Sequence, residues 1–175
     1  MQAVRLDQLI SSTSWPYRLL HIPSMTSYIR QGERTYNGID SPDYNIISYT
    51  WGYYMDSTRN EPQLDARGID WPISLITASH FTAENFRSAL QRVAQGVKFR
   101  CDWVWVDVAC IPQPHDDESE EAKRIRGEEI GRQVEIFHTA KETFVWLCSM
   151  TSKNLASSPR GPQTFDDFLM HLNKG

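Results

Sequence analysis

Asp107 and Cys110 are the residues most suited to chemistry, set at the end of the apolar run Trp103–Gln113 (WVWVDVACIPQ). A buried strand holds an acid only if that acid is paired or changes its protonation, since an isolated buried carboxylate is strongly disfavoured. Asp107 therefore either caps a neighbouring helix or pairs with an arginine, or it faces a ligand from the carboxyl end of a strand. Cys110 could serve as a nucleophile with His115 or His138 as base, which requires a lowered thiol pKa and a base within hydrogen-bond reach. The plainer reading is a small buried thiol in a sheet-edge loop. A zinc site from Cys110, His115 and His138 lacks paired-ligand spacing. Neither GxGxxG nor GxxxxGK[ST] occurs, which argues against conventional dinucleotide and P-loop binding.

The elements that must position these residues alternate between apolar strands and amphipathic helices. Tyr17–Ile22 (YRLLHI) reads as a strand ended by Pro23, and residues 24–43 as loop with one turn of helix at most. Tyr44–Tyr49 (YNIISY) is a second strand, closed by a turn at Thr50-Trp51-Gly52. Gln63–Asp65 and Ile69–Ile73 flank Ala66-Arg67-Gly68, which suggests an inserted β-hairpin whose glycine takes a positive φ. Phe86, Ala89, Leu90, Val93 and Val97 share one face of a helix over 83–95, with Thr82 as N-cap and Gly96 as its stop. The strand Trp103–Val108 follows. Residues 116–140 read as largely helical, with Ile130, Val134 and Phe137 inward and Gly127 either dividing the helix or fraying its first half. Thr143–Cys148 is a further strand, 149–163 a Ser/Pro-rich linker, and 164–173 a short C-terminal helix. Strands without polar alternation imply burial on both faces, so the expected class is α/β with a mostly parallel sheet flanked by helices.

The chain's 175 residues suit one domain, spanning 1–175, rather than two. A net charge of −4 gives no electrostatic footprint for nucleic acid. Lys123, Arg124 and Arg126 are interleaved with glutamates and read as a solvated helix face. Three cysteines without short spacing suit a reducing compartment, and the N-terminus lacks the pattern of a signal peptide. No run reaches the apolar length that spans a bilayer. The expectation is a cytoplasmic protein with no nucleic-acid or membrane partner.

Three ordered blocks resemble the fungal heterokaryon-incompatibility (HET) domain family. Tyr44-Asn-Ile-Ile-Ser48-Tyr49-Thr50-Trp51-Gly52 is similar to that family's Y-x-x-x-S-Y-x-W-G. Trp105-Val-Asp107-Val-Ala-Cys110-Ile111-Pro-Gln113 resembles its W-x-D-x-x-C-I-x-Q. Glu129-Ile-Gly-Arg-Gln133-Val-Glu-Ile-Phe137-His-Thr-Ala140 with Val145-Trp146-Leu147 resembles its E-x-x-x-Q-x-x-x-(I/M)-(Y/F)-x-x-A helix and closing V-W-L-G strand, with Cys148 in place of Gly. Together the blocks make 44–148 the motif-bearing core. A later block found in many members, W-x-x-x-(A/G)-W-T-x-Q-E, does not occur in these 175 residues.

The resemblance implies a fungal effector of programmed cell death in non-self recognition. It further implies a fold remotely similar to Toll/interleukin-1 receptor (TIR) domains, a flavodoxin-like sheet, and some TIR domains cleave NAD at the nicotinamide–ribose bond. On that reading NAD+ is a substrate and no resident cofactor is needed. Cleavage develops positive charge on the ribose, which a carboxylate stabilises. Asp107 and Glu129 are the candidate catalytic acids. Ser48, Tyr49, Trp51, Gly52, Trp105, Cys110, Gln113 and Gln133 are the candidate ligand-binding residues, with Trp51 able to stack on a base. Each also has a structural alternative: Trp51 as a lid over the sheet edge, Gly52 as a turn residue, Ser48 and Gln113 as partners of loop backbone. Glu129 and Gln133, one helical turn apart, could brace the Asp107 loop. The non-catalytic alternative is a signalling module that self-associates or docks on a death-signalling partner.

Overall fold

In a computed structural model, residues 14–49, 64–71, 73, 83–146 and 169–172 are described. Their strands are β1 (Arg18–His21), β2 (Thr26–Ile29), β3 (Thr35–Tyr36), β4 (Ile39–Asp40), β5 (Tyr44–Tyr49), β6 (Trp103–Trp105), β7 (Thr143–Trp146) and β8 (Leu169–Leu172). The helices are α1 (Ala83–Gln95), α2 (Asp107–Cys110), α3 (Glu120–Gly131) and α4 (Gln133–Thr139). Six strands form one sheet in the order β2-β1-β6-β5-β7-β8, while β3 and β4 make a separate two-stranded ribbon.

The sheet is mixed. Its centre, β6-β5-β7, is parallel, with Ile46 level with both Trp105 and Thr143. Its flanks are antiparallel: β1 runs against β6 and β2, and β8 against β7. The α/β class expected from the sequence is therefore observed, with parallel pairing confined to the middle three strands.

Alternate residues of β5 show how helices cover both faces. The Asn45 side-chain amide donates to Val93 O of α1 at 2.8 Å, whereas Tyr44 Oη donates to Ile136 O of α4 at 2.8 Å. Successive strand residues point to opposite faces, so α1 and α4 lie on opposite sides. The core consists of Leu19, Leu20, Ile46, Ile47 and Val104 from strands, Val106 from the β6–α2 junction, and Leu90, Val93 and Ile136 from helices, all at most 1% exposed. Each such side chain contributes about 1.5–3 kcal/mol by leaving water.

Helix α1 begins and ends where periodicity and Gly96 predict. Gly96 has φ +66°, and a Cβ there would stand 2.1 Å from Phe99 O, so no other residue fits. Val97 lies beyond this stop and is 67% exposed, outside the buried face to which its spacing assigned it.

Other expectations are corrected. The strand after Cys101 ends at Trp105, and Asp107 opens the short helix α2 instead of continuing the strand. The long helical region breaks at Arg132, not Gly127. Its buried residues are Ile125, Glu129 and Ile136, while Ile130 and Val134 are 54% and 78% exposed. Residues 24–43 hold β2, β3 and β4 rather than loop. No strand pair occurs within Leu64–Trp71; Arg67 instead makes one parallel bridge to Thr26. Gly68 does take φ +77°. Leu169–Leu172, expected in a helix, is strand β8. Thr82, the 50–52 turn and the 149–163 linker lie outside the described residues.

Candidate functional site at the carboxyl rim of the sheet

Because β5, β6 and β7 are parallel, their carboxyl ends share one rim. Strand β1 begins there, because it runs antiparallel to β6 with Leu20 level with Val104. The rim thus collects Ser48 and Tyr49 from β5, Trp105 and Asp107 from the end of β6, Trp146 from β7, and Tyr17 and Arg18 at the start of β1. The chain passes from β5 to β6 on one side and then to β7 on the other. Open α/β sheets leave their crevice where strand order reverses in this way.

Asp107 is half-buried. It sits in the first turn of α2, and its Oδ1 accepts the Val108 N–H at 2.8 Å. Helix α2 has four residues, and three of its carbonyls accept hydrogen bonds from outside the helix. Trp71 Nε1 donates to Val108 O at 2.9 Å, Ser27 Oγ to Ala109 O at 2.6 Å, and Gln113 Nε2 to Asp107 O at 3.2 Å. Gln113 Nε2 also donates to Ile111 O at 2.8 Å. Gln113 therefore has the backbone-supporting role that was its structural alternative.

Glu129 reaches the same neighbourhood but is wholly buried. Its Oε2 accepts the Tyr17 N–H at 2.9 Å. Its Oε1 accepts from Arg132 Nε at 2.7 Å and closely from Arg132 Nη2. Arg132 Nη2 donates in turn to Trp15 O at 2.8 Å, and Arg30 Nη1 binds the same carbonyl. Burial raises the Glu129 pKa above the usual carboxylate range, against the attraction of Arg132. These bonds lock α3 to the segment that enters β1, so the geometry of Glu129 is that of a brace.

Cys110 has no exposure, and burial pushes its thiol up to about 12. A nucleophilic cysteine needs the opposite shift. Its Sγ points to Val104 O at 3.9 Å, and His115 Nδ1 pairs with Gln113 O at 3.0 Å. Among the described residues, no group of three His, Cys, Asp or Glu is arranged to hold a metal ion.

Trp105 is 2% exposed, its ring edge-on to Phe137 at 5.8 Å. Its indole Nε1 is buried with no hydrogen-bond partner. Ser48 is half-buried near the end of β5, and Gln133 is half-buried as the first residue of α4. The backbone of Tyr49 closes β5 opposite Trp146. Trp51 and Gly52 lie outside the described residues.

Sequence reasoning missed Tyr17, Arg18, Trp71 and Arg132. Arg18 carried a usable signal, a charge inside the apolar run YRLLHI, the same argument that singled out Asp107. Trp71 carried none, because its role depends on meeting the carbonyls of α2.

The family model described as Heterokaryon incompatibility protein (HET) matches residues 44–171 of this chain. Neither the curated proteins nor the solved structures yield a match.

Proposed function

From the premise that this chain belongs to the heterokaryon incompatibility (HET) family, we propose that it is a fungal effector of cell death in non-self recognition, acting by TIR-like hydrolysis of NAD+ to nicotinamide and ADP-ribose. The position of Asp107 carries this reading. It is a half-buried carboxylate at the carboxyl end of β6, next to the central strand about which strand order reverses. A carboxylate there can stabilise the positive charge that grows on ribose as the glycosidic bond breaks. Trp105 supports the reading through its unpartnered N–H at the same strand end. Glu129 is the weaker candidate for direct chemistry, since Tyr17 and Arg132 already occupy its oxygens.

Purified protein incubated with NAD+ is expected to release nicotinamide, and Asp107→Asn to slow release by about 100-fold or more. Unchanged turnover in Asp107→Asn would remove the residue from the reaction.

One observation favours a non-catalytic reading. Ile130 and Val134, one helical turn apart across the α3–α4 break, are both exposed. A second copy of the chain would cover them in a self-associating signalling module. Light scattering across a concentration range tests this: the wild type should gain mass with concentration and Val134→Glu should not. A wild type that stays monomeric throughout contradicts it.

A further inference from the structure

Arg18 is an unusual cation. It opens β1 and is only 6% exposed, and burial lowers its pKa from the ordinary arginine value. Among the described residues no carboxylate forms an ion pair with it, and Asp70 is the carboxylate whose field acts on it. The half-buried Arg132 and Arg126 are differently placed, bound to Glu129 and Glu118, while the other buried arginine among the described residues, Arg30, donates to the Trp15 carbonyl.

The guanidinium is nevertheless held firmly. Its Nη1 donates to Gly68 O at 2.6 Å and more weakly to Ser27 O at 3.4 Å. The Trp71 ring lies 5.1 Å from its Cζ and the Tyr17 ring 5.8 Å. Those contacts fix the plane and direction of the fork. Gly68 has to be glycine for this, because a Cβ would stand 2.5 Å from Ser27 O. Nε is left buried with no acceptor. Backbone carbonyls thus anchor one corner of the guanidinium, while the donor that commonly grips oxyanions in two-point pairings is unused. A water molecule could accept from Nε but would not neutralise the charge.

Continuing the β1–β6 register from Leu20 and Val104 brings Arg18 level with Val106, the residue before Asp107. The cation therefore belongs to the rim that carries the candidate acid. It also lies ahead of the family-matched region, while Gly68 and Trp71 lie inside it.

We propose that Arg18, framed by Tyr17, Trp71 and the Gly68 carbonyl, is a binding site for a phosphate oxyanion, and that it holds the pyrophosphate of the dinucleotide. The second half rests on the NAD+ reading above; the oxyanion site does not. Phosphate oxygens complete the fork at Nε, and Trp71, tied to α2 by its bond to Val108 O, couples the bound anion to the helix that Asp107 begins.

The test uses the whole 175-residue chain, labelled with 13C and 15N, and follows the Arg18 Nε–H resonance, assigned through bonds along the Arg18 side chain. Inorganic pyrophosphate and ADP-ribose are each expected to shift this resonance saturably. Arg18→Lys keeps the charge but loses the fork, and should weaken both about tenfold or more by calorimetry. If Arg18→Lys does not fold, the wild-type titration decides alone. A resonance unmoved by millimolar pyrophosphate and ADP-ribose overturns the site, as does one that responds only to acetate. Pyrophosphate binding without nicotinamide release would keep the oxyanion site and reject the dinucleotide reading. Nicotinamide release with an unmoved Arg18 would do the reverse.

Discussion

The two rims of the central sheet treat their charged and polar groups in opposite ways. At the amino rim, Glu142 is 2% exposed and accepts three successive N–H groups, those of Val97, Lys98 and Phe99, at 2.9–3.1 Å. Beside it the Asn45 amide donates to Val93 O and Phe99 O, and Cys101 Sγ turns to Asn45 Oδ1 at 3.4 Å. This network ties the end of α1 to the starts of β5, β6 and β7. At the carboxyl rim, Arg18 and Trp105 each bury a donor without a partner, and Asp107 is only half-buried. A polar group buried without a partner costs about 1–3 kcal/mol. The unpartnered donors thus sit at the rim proposed for binding, while the Glu142–Asn45 network joins elements at the opposite rim.

Substituting the best-satisfied group should have the largest effect on stability. Glu142→Ala strands three backbone donors, and is expected to lower the unfolding free energy by about 3 kcal/mol in urea titrations. Asp107→Asn should shift the same curve by less than about 1 kcal/mol, because the group is half-buried and an amide oxygen can still accept the Val108 N–H. Equal destabilisation by the two would erase the contrast between the rims.

Glu129 sharpens the comparison through pH. Its folded pKa is raised by burial, so the folded state holds this proton more tightly than the unfolded chain does. The stabilisation from that proton is complete below the ordinary glutamate pKa and is lost as pH rises through the raised value. The stability difference between wild type and Glu129→Gln, which does not titrate, should therefore shrink with rising pH across that window. A difference that grows over the same range would mean that Arg132 outweighs burial.

The smallest contrast is between two tryptophans. Trp71→Phe removes the cap on Val108 O and should cost about 2 kcal/mol, whereas Trp105→Phe deletes a donor with no partner and should cost about 1 kcal/mol or less. Thermal unfolding of the two variants checks the order.

The sequence made the central elements legible wherever local pattern and tertiary packing agree. YNIISY forms β5 over its predicted span, and Phe86, Ala89, Leu90 and Val93 face inward on α1 as their spacing requires. The pattern misled at α3 and α4, because Arg132 interrupts the helix and the buried positions are Ile125, Glu129 and Ile136 rather than Ile130 and Val134. Strand β2 (TSYI) is too polar to announce itself, and becomes a strand by pairing with β1. Leu169–Leu172 pairs with β7, a long-range choice that helical spacing in the C-terminal run conceals. Of the candidate site, Asp107 and Trp105 could be found from their setting in an apolar run. The ties from Tyr17, Ser27 and Trp71, and that of Arg132 to Trp15 O, could not, since they join residues distant in sequence.

The pairing of β8 with β7 bears on how this protein can be cut. The Ser/Pro-rich stretch 149–163 invites a clean boundary just after Trp146, but trimming there would strip a neighbour from the outer flank of β7. The bared backbone donors and acceptors would then be open to any passing strand, including that of another molecule. A shortened version should clump where the longer chain stays dispersed, and such clumping would report an amputated edge rather than a toxic activity.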